Sequence, residues 1–389
     1  MKYFKLIILE ILLFAAAVGC GTQVTTVPPL TGSLEIKNGF YVLRLRGTPE
    51  EMGRAHGTLL KTQIADLLQK YLRDGALKKY GISWPLLVSM AKNYESGMPE
   101  EFKAELRGIA EGSGLSYEEI LLGQVVMDLS VIRLSSLAAV GCSGFIAKGK
   151  AASNEALVHG ANIEWEDYDN SLRDNLAVIY YEPSAGNKFV ALSYAGGAGV
   201  LIGMNEKQIA SSISAISAGT NFGGIATLAN LRKMLQYSNN LTEAANKLTA
   251  SDRTCGYTVP VSCGSPEGFF VMELSPTHFS RREAGTLEVL VSTNHFISEE
   301  MQPYQTASTE ANSARRYATL LNLVMQNYGL INASLAKIFM SDKTEPHGDY
   351  INSDLVIYST ILSPGSLTLR VAKGPVKSES DYVSFSLEN

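Results

Sequence analysis

Apolar positions change their arrangement near Ala138, and the change splits this chain into a helical part and a strand-rich part. Before that point the apolar residues fall in long stretches opened by helix-start signals. From Ala138 to Asn294 they fall in short runs rich in β-branched and aromatic residues, the composition of strands. Thr48-Pro49-Glu50-Glu51 supplies an N-cap, a proline in the first turn and a capping-box glutamate three residues on. The helix it opens is expected to reach about residue 80, with a break at Gly75. Further helices are expected over 85–96 and 99–111. Ser116-Tyr117-Glu118-Glu119 repeats the capping-box pattern and opens a fourth, ending near residue 134.

Strands are expected within 33–45 and then at 144–147, 157–164, 175–181, 188–194, 200–204, 209–216, 257–262, 268–274 and 287–293. Helices are expected at 226–237, 242–251, 310–326 and 334–341, before closing strands at 354–362, 367–371 and 382–387. Runs of strands with segregated helices point to an α+β fold.

Composition narrows the function classes. The chain is 46% hydrophobic and 18% charged, which suits a globular protein with one large core or two smaller ones. A net charge of -5 leaves no broad basic field for nucleic acid. Lys2, Lys5, an apolar stretch over 6–18 and Gly19-Cys20 read as an export signal. Ala17-Val18-Gly19-Cys20 resembles a bacterial lipoprotein box, in which Cys20 carries the lipid. The expected location is therefore membrane-anchored on the periplasmic or cell-surface side, with free secretion as the alternative. Export leaves two possibilities for Cys255 and Cys263: a disulfide, or two buried thiols. The expected organisation is a leader (1–20), a linker with N-terminal strands (21–47), a helical pro-region (48–141) and a catalytic part (142–389).

Most familiar chemistries find no support. The five histidines are scattered, with no HExxH and no paired Cys-x-x-Cys, so nothing points to a metal or cofactor. The glycines from Gly196 to Gly203 miss the dinucleotide spacing and read as a tight turn. No Gly-x-Ser-x-Gly elbow and no glycosidase carboxylate pair stand out. What remains is Ala139-Val140-Gly141-Cys142-Ser143-Gly144-Phe145, where a strand begins with a cysteine after small residues. It is followed by Gly160-Ala161-Asn162-Ile163-Glu164-Trp165, by Ser193-Tyr194-Ala195-Gly196-Gly197-Ala198-Gly199, and by Ser292-Thr293-Asn294-His295-Phe296.

This ordered set resembles the acyl-coenzyme A:6-aminopenicillanate acyltransferase family of N-terminal-nucleophile proteins, with acid ceramidase and bile-salt hydrolases as more distant relatives. Met52-Gly53-Arg54-Ala55-His56-Gly57 and Ser313-Ala314-Arg315-Arg316 extend the resemblance towards both ends. It implies a four-layer αββα sandwich that cuts itself between Gly141 and Cys142. Residues 21–141 and 142–389 would stay associated. Cys142 would then be the nucleophile, and its freed α-amine, with an ordinary pKa of about 7.7–8.0, the base. A glycine before it leaves the scissile carbonyl unhindered.

The resemblance also assigns supporting roles. Asn294 would donate its amide N–H to the oxyanion. Glu164 stands where relatives usually carry Asp and would hold the α-amine or the thiol. Asn162 would bond the substrate or shape the turn. Ala161 departs from the arginine of bile-salt hydrolases and acid ceramidase, and Arg315 or Arg316 offers a replacement charge. His295 and His56 would support by packing, and Tyr194, Phe222, Phe296 and Tyr304 would line an acyl pocket. The implied substrate is a small N-acyl amide, with hydrolysis favoured over transfer at a water-rich surface. Two alternatives stay open: a phospholipase-like esterase of the same architecture, or an inactive tethered binding protein.

Overall fold

The computed structural model describes residues 30–133, 141–305 and 310–388. Cys20 and the rest of the leader lie outside them. The Thr48 capping box forms: the Glu51 N–H donates to Thr48 Oγ1 at 3.3 Å, and Glu51 Oε2 accepts from the Thr48 N–H at 2.8 Å. The helix Pro49–Leu59 follows, and the chain stays helical through Lys61–Asp66, Leu67–Leu77 and Lys78–Tyr80. Leu67–Leu77 is wound as a π-helix, a rare form that gathers at functional sites. Gly75 does not break it. A Cβ at Gly75 would lie 2.4 Å from the Tyr168 ring, so the glycine serves a close packing contact.

Two sheets form the centre. The larger runs in the order Gly32–Lys37, Phe40–Gly47, Leu176–Pro183, Phe189–Tyr194, Ile202–Asn205, Ile209–Ser211, Gly256–Gly264, Glu267–Leu274, Phe279–Glu283, with Ser214–Ile216 also paired to Gly256–Gly264. The smaller runs Val289–Ser292, Gly141–Gly149, Glu155–Glu164, Val356–Ser363, Thr368–Lys373, Val383–Ser386. They pack face to face. His159 of the smaller sheet lies 3.0 Å from Ser262 Oγ of the larger and 2.9 Å from Oγ of Ser212, just past the strand Ile209–Ser211. Tyr358 Oη donates to Ala177 O at 3.2 Å across the same gap. Helices Glu310–Gln326 and Ala333–Met340 cover the outer face of the smaller sheet, while the N-terminal helices and Thr227–Tyr237 pack on the larger. The architecture is an αββα sandwich of mixed helix and sheet.

The details that differ bear on the site. The strand expected at 144 begins at Gly141, because Gly141 and Cys142 pair with Glu164 and Ile163. Cys255 and Cys263 cannot bond to each other. They flank and end one extended strand, roughly 26 Å apart at 3.3 Å per residue, where a disulfide needs a Cα separation below about 7 Å. Both are buried free thiols.

Candidate active site at the Gly141–Cys142 junction

Successive residues of a strand point to opposite faces of the sheet, and here the two faces differ in chemistry. Cys142, opposite Ile163, points between the sheets, where both join the inner apolar core. Gly141, opposite Glu164, and Ser143, opposite Asn162, face the covering helices.

On the inner face the thiol is 4% exposed. Burial pushes it up to about 11; the Glu164 backbone amide and, more weakly, Arg316 and the Ala215 amide pull the other way. Thiolate is the reactive form, so this cysteine rests neutral. Ala161 lies on the same face, and its methyl group brings no charge to the sulfur.

On the outer face the charge is supplied by Arg316, 2% exposed on the helix Glu310–Gln326. Its Nη1 donates to Cys142 O at 2.6 Å and to Ser143 Oγ at 2.9 Å, and its Nη2 donates to Asn294 Oδ1 at 2.9 Å. Asn312 Oδ1, one turn earlier, accepts from Nε at 2.9 Å and fixes the guanidinium plane. Asn294 Oδ1 also accepts from the Cys142 N–H at 2.6 Å, and Asn294 Nδ2 donates to Ala215 O at 2.8 Å. Two donors on the oxygen and a carbonyl at the nitrogen fix the amide orientation. The expected role of Asn294 is therefore inverted in this state. Its N–H groups face Ala215, and its oxygen holds the Cys142 nitrogen.

Glu164 is 4% exposed, and burial raises its carboxyl above the ordinary range, against the opposing pull of Arg316 and Ser353. A Cβ at Gly141 would lie 1.6 Å from Glu164 Oε2, so no other residue fits beside this carboxyl without displacement. Asn162 points to the covering segments. Its Nδ2 donates to Met340 O at 2.8 Å and Ile351 O at 2.7 Å, on the face away from the thiol. It ties the strand to the segments that cover it.

Of the two arginines, Arg315 is bound to Asp349 and partly exposed. Only the covering sheet, invisible in a linear pattern, decides that Arg316 is the buried one. His56 Nε2 accepts from the Gly196 N–H at 2.9 Å, and burial, then Arg232, hold that ring down to about 3. His295 lies 2.7 Å from Ser313 Oγ and is held down to about 4 by burial, Arg282 and Arg316. Both are neutral supports at working pH.

Beside Ile163 opens a narrow cavity of about 70 Å³, partly open to solvent. Leu68, Tyr71, Leu72, Met127, Ile163 and Trp165 are among its walls, so the π-helix forms one side. Its polar wall groups are already bonded. Gln124 Nε2 donates to Gly196 O at 2.8 Å and its Oε1 accepts from Ala198 N–H at 2.9 Å; Tyr194 Oη donates to Gly123 O at 2.7 Å; Trp165 Nε1 donates to Tyr71 Oη. Such walls favour an apolar occupant. Of the four aromatic residues expected here only Tyr194 lines it. Phe222 and Tyr304 are exposed, and Phe296 packs in a separate cluster with Ile216 and Met301.

Comparison with known proteins places these residues in a family context. Residues 158–349 match the model of a family described as acyl-coenzyme A:6-aminopenicillanic acid acyl-transferase. The matched span holds Glu164, Asn294 and Arg316; Cys142 stands before it. An uncharacterised protein of Archaeoglobus fulgidus is 26% identical over 91% of this chain and 66% of its own length. Dictyostelium discoideum proteins dcd1B and dcd1A are 27% and 28% identical over 61% of this chain, and 51% and 59% of theirs. The chain thus spans about half to two thirds of these relatives. Among solved structures, a Caenorhabditis elegans N-acylethanolamine-hydrolysing acid amidase ortholog shows a TM-score of 0.44 at 16% identity, over 63% of this chain and all of that one. Penicillin V acylase of Agrobacterium tumefaciens shows 0.43 at 13%, over 64% of this chain and 87% of that one.

Proposed function

We propose, from this family similarity and the junction's geometry, that the chain is a cysteine N-terminal-nucleophile enzyme that cuts itself between Gly141 and Cys142 and then hydrolyses N-acyl amides. One observation carries the reading. The buried polar network grips the backbone of Cys142, its N–H through Asn294 and its carbonyl through Arg316, as well as flanking its side chain. A structural cysteine needs no charged group on its own peptide.

The steps balance as follows. The Cys142 sulfur attacks the Gly141 carbonyl carbon, and the thiol proton passes to the departing Cys142 nitrogen. A thioester joins Gly141 to Sγ. Water then attacks the thioester, giving the Gly141 carboxylate and the free thiol. The new α-amine is left on Asn294 Oδ1 close to Arg316, whose charge lowers the amine's pKa and favours its neutral, basic form. In turnover the same sulfur takes the acyl group of the substrate amide, the amine departs with a proton, and water releases the acid. The apolar cavity accepts the acyl part. Hydrolysis rather than transfer fits an exported protein in water, and Cys20 remains the proposed lipid attachment point.

Denaturing intact-mass measurement of the wild type and of Cys142→Ala tests the proposal. Two fragments meeting at Gly141/Cys142 are expected in the wild type and one uncut chain in the variant. An uncut wild type overturns it.

A further inference from the structure

We propose that Glu273 is a positioning residue for Asn294, acting from the opposite sheet through the chain on either side of it. The inference rests on the reading of Asn294 as holder of the Cys142 nitrogen. Glu273 lies on Glu267–Leu274 of the larger sheet and is fully buried. Its Oε1 accepts from the Ile297 N–H at 2.9 Å and its Oε2 from the Ser298 N–H at 3.0 Å. Arg282, on the neighbouring strand Phe279–Glu283, approaches Oε1 with Nε at 2.7 Å, and its Nη2 donates to Val291 O at 2.9 Å. One ion pair therefore grips the chain at 291 and again at 297–298, bracketing Asn294.

The grip matters because of where Asn294 stands. Among the described residues, Val289–Ser292 is the edge strand of the smaller sheet, paired with Gly141–Gly149 alone. Past Ser292 the chain leaves the ladder, and the Asn294 side chain bridges the sheets: Nδ2 on Ala215 O of the larger, Oδ1 on Cys142 N of the smaller. Such a bridge keeps both bonds only if the loop stays at a fixed height between the sheets. The Glu273 carboxylate sets that height with charge-assisted bonds to two consecutive amides. Thr293 Oγ1 donating to Ser313 O and Gln305 Oε1 accepting from the Phe296 N–H restrain the same loop from the helix side. Neither contact links it to the larger sheet.

The test uses amide hydrogen exchange in the full chain carrying Cys142→Ala, which holds the precursor uncut, with Glu273→Gln added. Glutamine keeps the shape but loses the charge and one acceptor. Protection of the residue 142 amide is expected to fall about tenfold or more, while central-strand amides such as Val259 and Phe270 keep theirs. Glu283→Gln, an exposed change on the same hairpin, is the unaffected control. With Cys142 restored, Glu273→Gln is expected to slow self-cleavage by a similar factor and to add nothing to Asn294→Ala, since both act through one bond. Unchanged protection at 142, or a loss shared equally by the central amides, overturns the inference. A loss at 142 in a protein whose wild type never cuts itself supports Glu273's role and overturns the proposed function instead. If Glu273→Gln does not fold, Glu273→Asp is read by the same rule.

Discussion

Cys142 belongs to two environments at once. Its side chain points into an apolar interior that keeps the thiol neutral, while its backbone faces a buried guanidinium, an amide oxygen and a carboxyl. The sheet divides the work. The inner face surrounds the sulfur with apolar side chains, and the outer face supplies the polar groups that hold the peptide. A charge on the inner face would have to be desolvated beside the substrate; placed behind the strand, Arg316 reaches the same residue through its carbonyl without crowding the cavity.

The largest effect is expected from removing the outer-face charge. Arg316→Ala leaves Cys142 O, Ser143 Oγ and Asn294 Oδ1 short of a donor in a buried site. At about 1–3 kcal/mol for each of these three groups, a loss of about 3–9 kcal/mol is expected, measured by urea unfolding in the uncut Cys142→Ala form. Arg316→Lys separates charge from geometry. A point charge cannot serve three acceptors laid out for a planar fork, so this variant should fold yet cut itself about a hundredfold more slowly. Equal cleavage by the lysine variant would mean that charge alone matters.

Next comes the glycine at the junction. Gly141→Ala drives a methyl group into Glu164 Oε2, an overpacking expected to cost about 1–3 kcal/mol. The displaced carboxyl or strand should slow self-cleavage severely. If the clash is the cause, pairing the change with Glu164→Ala restores most of the stability, a non-additivity typical of contacting residues. Additive losses would show that the glycine is needed for the backbone itself, not for the room it leaves.

Much of this organisation was legible in the chain. Both capping boxes announced their helices, since they are written in adjacent residues: Ser116 and Glu119 exchange the expected bonds, as Thr48 and Glu51 do. The switch from helical to strand composition marked the junction. Facing was not legible, because it depends on which residue stands opposite in the ladder. That uncertainty left Arg315 and Arg316 undistinguished, and it concealed that in the uncut chain Asn162 faces the covering segments and the Asn294 oxygen holds the Cys142 nitrogen. The same limit applied to Cys255 and Cys263: their spacing left a disulfide and two buried thiols both open, and the strand between them decides for the thiols. The pocket aromatics failed for another reason. Phe222 and Phe296 are close to the motifs in sequence, but turns carry both away from the cavity.

The smallest predicted effect separates two states of the outer face. Burial raises the Glu164 carboxyl, so the folded chain is expected to hold it neutral at a pH where the unfolded chain has already ionised. For an acid raised on folding, that stability is present below its ordinary pKa and is lost as pH rises through the folded value. In the uncut Cys142→Ala form, stability should therefore decline from about pH 4.5 upward, and Glu164→Gln, which cannot ionise, should lack that part of the slope. The two forms would match in acid, and the glutamine form would gain on its parent as pH rises. The opposite slope, with the glutamine form losing ground as pH rises towards about 4.5 and no difference in slope above it, would mean that Arg316 keeps Glu164 ionised. The outer face would then hold an ion pair, and self-cleavage would begin with a carboxylate behind the strand, on the face away from the thiol.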